Sequence, residues 1–160
     1  MAAEKSEREK AQRVVADNRK AFHDYHVLET WEAGLVLLGT EIKAIREGRV
    51  NLRDSYARVE NGEVWLANVH ISPYSHSGYA SHEERRQRKL LMHKHEINKL
   101  TGLVREKGLT LVPLQLYFKN GRLKASVALV KGKQAHDKRE TIRRREVDRE
   151  TRAAVKARQR

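Results

Sequence analysis

Eight histidines are the first place in this chain to look for chemistry. His23 and His26 form a His-x2-His pair, and His70, His76 and His82 recur every six residues. Imidazoles bind transition metals or move protons when carboxylates, thiols or further rings complete the set. Here there is no His-Glu-x-x-His run and no cysteine, and on a strand His23 and His26 would face opposite sides. Pro73 to His82 reads instead as a polar surface loop whose His and Tyr rings could stack on bases. Val130-Lys-Gly-Lys133 lacks the first glycine and the loop length of a phosphate-binding loop. Asp54-Ser55 and Glu83-Glu84 sit beside basic neighbours and read as salt-linked surface. Because no nucleophile, base and orienting group fall together, the sequence points away from an enzyme and from any metal or cofactor.

The cations are more informative. The net charge is +13, with 39% hydrophobic and 34% charged residues, which fits one small domain with a heavily solvated surface. Lys and Arg displace counterions from phosphates, so nucleic acid is the leading partner class. A membrane is the competitor, but no long apolar run, lipidation signal or signal peptide appears, and a cytoplasmic protein is the simplest reading. Arg85-Arg86-Gln87-Arg88-Lys89 concentrates four cations at what reads as the start of a long helix, where they oppose the macrodipole unless a phosphate compensates. The last thirty residues, Lys131 to Arg160, hold twelve Lys and Arg against five Asp and Glu, and their only large aliphatics are Ile142, Val147 and Val155. So little apolar surface cannot offset an ordering entropy of roughly 1–2 kcal/mol per residue. The tail is expected to be mobile alone and ordered against a polyanion. It nevertheless contains a helix start: Asp137 and Glu140 have capping-box spacing, and Glu140–Arg144 and Asp148–Arg152 are acid-first i, i+4 pairs.

The elements that must position these groups follow from periodicity. Residues 1–17 read as a loosely held arm, helical from about Val14 onward. Phe22 to Leu38, rich in aromatic and β-branched residues, predicts a long strand with a bulge or barrel corner at Gly34. Thr40 then caps a short helix over 41–46, with Gly48 beyond it. Asn61-Gly62 and Asn120-Gly121 each separate two strand-like runs and predict tight hairpins. Leu90, Leu91, Ile97, Leu100 and Val104 predict a helix from about Arg85 to Glu106, and Pro113 marks a bulge or strand edge. In Arg122 to Val130, Leu123, Ala125, Val127 and Leu129 point one way, and Lys124, Ser126 and Ala128 the other. These elements predict a mainly β fold with flanking helices. The architecture is an oligonucleotide-binding-type antiparallel β-barrel over residues 18–130 with a basic tail over 131–160, a flat α+β sandwich being the alternative.

Glu32-Ala-Gly-Leu-Val-Leu-Leu-Gly39, Glu41-Ile-Lys43, Asn51-Leu-Arg-Asp-Ser-Tyr56, Arg88-Lys-Leu-Leu91, Leu116-Tyr-Phe-Lys-Asn120 and Lys131-Gly-Lys-Gln-Ala-His-Asp-Lys-Arg139 resemble the SsrA-binding protein (SmpB) family of bacterial trans-translation. The likeness runs in register from about Asn18 to Arg139. It implies a non-enzymatic partner of transfer-messenger RNA (tmRNA), which brings the alanyl-charged RNA, with elongation factor Tu, to ribosomes stalled on messages lacking a stop codon. In such proteins the barrel grips the tRNA-like domain of tmRNA, and the tail, disordered when free and helical on the ribosome, probes the small-subunit decoding centre and the empty mRNA channel. By motif, the resemblance assigns RNA binding to Asn18, Arg19, Lys20, Glu32, Arg88, Lys89, Leu91 and Lys124. It assigns the decoding centre to Lys131, Gly132 (as hinge), Lys133, His136 (as a stacking residue), Asp137, Lys138 and Arg139. Leu91 reads equally well as core. Gln134-Ala135 and Ala154-Val155 depart from the family pattern, leaving one cation fewer beside the hinge and a weaker apolar pair in the tail. The rival reading is a generic ribosomal or single-stranded-RNA barrel with a nonspecific basic tail.

Overall fold

The computed structural model describes residues 12–78, 81–106, 108–133 and 135–159. Its frame is an antiparallel barrel built on two eleven-residue strands, β8 (Leu109–Lys119) and β9 (Arg122–Gly132), which pair along their whole length around the Asn120-Gly121 turn. Both turn residues have positive φ, 52° and 76°, the left-handed geometry that a two-residue hairpin requires. The same logic joins β4 (Tyr56–Glu60) to β5 (Glu63–Ala67) through Asn61-Gly62, with Glu60 opposite Glu63. β7 (Arg88–Leu91) pairs with β5, and β2 (Tyr25–Leu35) pairs with both β7 and β9. Since β8 also touches β4 at Ala57–Leu111, the circuit β8-β4-β5-β7-β2-β9 closes on itself. Gly34 is the barrel corner: it faces Lys124 of β9 on one side and Leu91 of β7 on the other. The predicted irregularity at Pro113 is a bulge between Pro113 and Gln115, and a second bulge falls at Val27/Glu29.

The interior follows the period-2 rule. Ala125, Val127 and Leu129 of β9, Val64 and Leu66 of β5, and Leu90 of β7 are all buried. Ala44, Ile45 and Leu100 close the barrel from α2 (Gly39–Arg46) and α3 (Lys94–Leu103). Ala128 and Val130 face the other way, yet they too are covered, because α1 (Arg19–Asp24) lays Ala21 over them together with Val112 and Leu114. A minor ladder, β3 (Val50–Asn51) with β6 (His70–Ile71), sits alongside. The tail forms α4 (Ala135–Arg158), in which Ile142, Val147 and Val155 stay 44%, 54% and 51% exposed.

Four local readings need correction. Residues 12–17 are not a loose arm: they form β1 (Gln12–Asp17), which pairs with the free edge of β8 opposite residues 115–119. The predicted strand from Phe22 begins only at Tyr25, because Asn18 caps α1 by accepting from the Ala21 N–H at 3.3 Å. Thr40 is not the cap of α2; Leu38 holds that position and its N–H donates to the Glu41 carboxylate at 2.9 Å. The predicted helix over 85–106 is two elements, β7 and α3, parted at Met92-His93, with Glu96 accepting from the His93 N–H. A smaller shift occurs at the tail, where the helix starts at Ala135 rather than Asp137.

Candidate nucleic-acid interface

On the outer face of β2, β9 and β8, register brings together side chains that are far apart in sequence. Glu32 lies opposite Ser126, Gly34 opposite Lys124, and Lys124 opposite Tyr117. Paired residues share a face, so Glu32, Lys124 and Tyr117 all project outward, as does Lys119 two residues beyond Tyr117. The Tyr117 hydroxyl donates to the Glu32 carboxylate at 2.6 Å, and the Lys119 ammonium donates to it at 3.2 Å. These bonds hold the Glu32 pKa below the usual carboxylate value, the Tyr117 bond most strongly, against a smaller opposing effect of burial. Tyr117 is shifted up by burial first and then by the same bond, so it stays a neutral donor. The Glu32 side chain is still 39% exposed. The result is a fixed, ionised acceptor beside cations, able to take an amino hydrogen of guanine or cytosine while Lys124 faces a phosphate.

Leu91 stands next to this group and is 53% exposed. That settles its two readings: it is surface, not core. Glycine at residue 34 eases its fit against β2, since a Cβ there would lie 3.3 Å from the Leu91 Cβ and Leu91 would have to give way slightly. Around it opens a cleft lined by Leu37, Ile42, Arg46, Phe118, Leu123 and Lys124, with the Arg46 guanidinium 5.6 Å above the Phe118 ring. Tyr117, Lys119 and Arg46 were not singled out from sequence. The first two belong to the motif Leu116-Tyr-Phe-Lys-Asn120, and alternation from Lys124 across the hairpin would have placed them on its face.

Two residues expected at the RNA surface are elsewhere. Arg88 is fully buried. Its Nε donates to Glu41 at 2.6 Å, its Nη1 to the Val69 carbonyl at 2.6 Å and its Nη2 to the Glu84 carbonyl at 3.1 Å. Arg86 also donates to Glu41, which is buried as well. Burial alone would raise the Glu41 pKa, but the bonds from Arg86, Leu38 and Arg88 outweigh it and the net shift is downward. In a strand, neighbours alternate, so Arg88 and Leu90 point in while Lys89 and Leu91 point out; the helical reading had merged the two faces. Asn18 is also buried, its amide donating to the Pro113 carbonyl at 2.9 Å while its oxygen caps α1. Arg88 thus presents no surface to a polyanion, and Asn18 only 5% of its own.

The remaining expected residues whose side chains are described are accessible. Arg19 is exposed, Lys20 pairs with Asp54 at 2.6 Å, and Lys89 pairs with Glu63 at 3.1 Å. At the tail root, Lys131 and Gly132 end β9, Lys138 approaches Asp24 at 3.7 Å, and Arg139 is exposed. Gly132 has open space where a Cβ would stand and no left-handed φ, so this conformation does not itself call for glycine. The side chains of His136 and Asp137 lie outside the described residues.

Two of the described histidines, His82 and His70, serve the fold. His82 is buried between the Thr40 hydroxyl and the Ile71 carbonyl, at 3.0 and 2.9 Å, and His70 contacts Glu84 at 2.7 Å. Among the described residues no three His, Asp or Glu side chains gather as a metal site, and no helix is long and apolar enough to cross a membrane.

Comparison with known proteins points the same way as this surface. The SsrA-binding protein of Carboxydothermus hydrogenoformans is 58% identical over 147 residues, covering 92% of this chain and 99% of that one. That of Geobacillus kaustophilus is 57% identical over 147 residues, covering 92% and 95%. A chain from the solved structure "tmRNA-SmpB: a journey to the center of the bacterial ribosome" is 50% identical, with a TM-score of 0.66 over 80% of this chain and 94% of that one. The family model for SmpB protein matches residues 15–157, from β1 to the end of α4. The chain therefore belongs to the SmpB family.

Proposed function

We propose that this protein binds the tRNA-like domain of tmRNA through the outer face of β2, β9 and β8 and acts with that RNA in trans-translation on stalled ribosomes. It works as an RNA-binding factor rather than as a catalyst. The basic helix α4 enters the decoding centre and the empty mRNA channel, with Lys131, Lys133, Lys138 and Arg139 facing phosphates. The observation that supports this reading most is the Glu32 carboxylate, held ionised and part-exposed by Tyr117 and Lys119 on the face that also carries Lys124 and Leu91. A carboxylate is an unwelcome neighbour for a generic phosphate-binding surface. Fixed in place, it reads base edges or rejects the wrong ones. Location on the ribosome follows from the same reading.

Truncation after Lys133 keeps β9 and its partner bonds intact and separates this function from that of a generic RNA barrel. Affinity for the tRNA-like domain stays within a few-fold, while peptide tagging on stalled ribosomes is lost. A collapse of RNA affinity on truncation, with no preference for tmRNA over other structured RNA, would establish the generic reading instead.

A further inference from the structure

Lys124, Gly34 and Leu91 stand in one row across β9, β2 and β7, and paired residues share a face. Glycine carries no side chain, so the row has a gap in its middle, with a cation on one side and an exposed isobutyl group on the other. A Cβ at residue 34 would come within 3.3 Å of the Leu91 Cβ and begin to fill that gap. The gap opens into a cleft of about 320 Å³ between the β8–β9 turn and α2, within the ~300–1,000 Å³ range of small-ligand sites. Leu37, Ile42 and Leu123 give the cleft its apolar lining. Its charged lining is wholly cationic, from Arg46, Arg122 and Lys124, and no carboxylate lines it. Other cations of this surface are already answered: Lys20 by Asp54 at 2.6 Å, Lys89 by Glu63 at 3.1 Å and Lys119 by Glu32 at 3.2 Å. Neither Arg46 nor Lys124 has an ion-pair partner among the described residues. Arg46 is exposed and rests instead on the Phe118 ring, 5.6 Å from its centroid, a contact that orients the guanidinium without neutralising it.

We infer that this cleft takes one unstacked nucleobase of the RNA that lies on the outer face of β2, β9 and β8. Lys124 and Leu91 belong both to that face and to the cleft, so an RNA gripped there passes its opening. A base is a flat ring with apolar faces, which the leucine and isoleucine side chains can cover and an arginine plane can stack upon. The phosphates on either side of it carry the charge that Arg46 and Lys124 leave unanswered. A base inside a duplex is stacked on both faces and cannot enter. The cleft thereby selects RNA that offers an unpaired nucleotide beside its helical part, and Arg46, Ile42 and Leu123 join the contact residues. This inference deepens the RNA grip proposed above and rests on it.

The test is a set of tRNA-like-domain RNAs in which each unpaired nucleotide in turn is made abasic. Each RNA is titrated by filter binding against full-length parent, Arg46→Ala and Leu91→Ala. Leu91 is 53% exposed, so Leu91→Ala decides the matter if Arg46→Ala fails to fold. With the parent, removal of the base at one unpaired position should weaken binding at least about fivefold. With either variant the intact RNA should bind more weakly, and removal of that same base should then cost less than about twofold, since its seat is already lost. An undiminished cost of that base in either folded variant would overturn the inference. So would a parent for which every unpaired position costs less than about twofold, the result expected if a protein side chain or a second copy of this chain fills the cleft. A parent that does not bind the intact domain overturns the proposed function as well, whereas tight binding with no sensitive base overturns this inference alone.

Discussion

Glu41 and Glu32 are nine residues apart, each bonded to strongly polar neighbours, and each titrates below its ordinary value; they do opposite jobs. Glu41 lies in a sealed cluster whose partners are Arg88, Arg86 and the Leu38 N–H. It ties α2 to β7 and has no contact with solvent. Glu32 has a hydroxyl and an ammonium on one side and open space on the other. A buried charge must be answered completely by its neighbours or it destabilises the fold. A half-exposed charge that is held still leaves lone pairs for an incoming ligand. A depressed carboxylate pKa alone does not separate these cases; exposure does.

Breaking the sealed cluster should have the largest effect. Arg88→Met leaves Glu41 buried without one of its two arginine partners, and a loss of about 3–5 kcal/mol is expected in urea unfolding. The double variant Glu41→Leu/Arg88→Met should be less damaging than either single change, because no fully buried charge is left unpaired and the cation that remains, Arg86, is about a third exposed. Protein that still folds should bind RNA with unchanged affinity. Should Arg88→Met keep its stability and lose RNA binding, the two regions have been assigned the wrong way round.

Acid should expose the same cluster. A carboxylate whose folded pKa lies below its unfolded one stabilises the fold at pH values above the unfolded pKa, and that contribution fades as pH falls through the folded pKa. Glu41 is shifted down from 4.5, so stability should hold above that value and decline below it. In Glu41→Gln this part of the decline should be missing from a pH series of urea midpoints; an identical acid slope in both proteins would contradict the assignment.

Smaller effects test the exposed side. Tyr117→Phe removes one hydrogen bond, costing about 0.5–1.5 kcal/mol of stability, and frees Glu32 to move, so affinity for the tRNA-like domain should fall several-fold in a filter-binding titration. Unchanged affinity would mean that the clasp only packs the strand. Lys89→Ala should do least, since its pair with Glu63 is exposed and worth about 0–1 kcal/mol, and a thermal melt should scarcely move.

Much of this was legible in the sequence, and the failures share one cause. The two Asn-Gly hairpins, the corner at Gly34, the bulge at Pro113 and the inward and outward sides of β9 follow from local geometry, which a short stretch of chain contains. Arg88 could not be placed that way. Leu90, Leu91, Ile97 and Leu100 look helical when read together, and the break at Met92-His93 contains neither glycine nor proline. Read as a strand, the same residues would have sent Arg88 inward and Leu91 outward. The aromatic and β-branched residues after Asn18 argued for a strand and hid the helix that it caps. β1 exists because β8 has an edge to fill, and nothing within residues 12–17 announces that partner. The proposed RNA face was half visible: Glu32, Leu91 and Lys124 came from the family likeness, whereas the clasp by Tyr117 and Lys119 depends on a three-strand register that only the folded chain supplies.

If the tRNA-like domain is gripped on the outer face of β2, β9 and β8, reversing one charge there must weaken the grip without touching the fold. The decisive measurement is a salt-dependent titration of that RNA domain against full-length parent and Lys124→Glu, with melting temperatures recorded alongside. The expected result is an affinity at least about tenfold weaker, a slope of log affinity against log salt shallower by about 1, and an unchanged melt. An unchanged affinity and slope in a folded Lys124→Glu protein would contradict it.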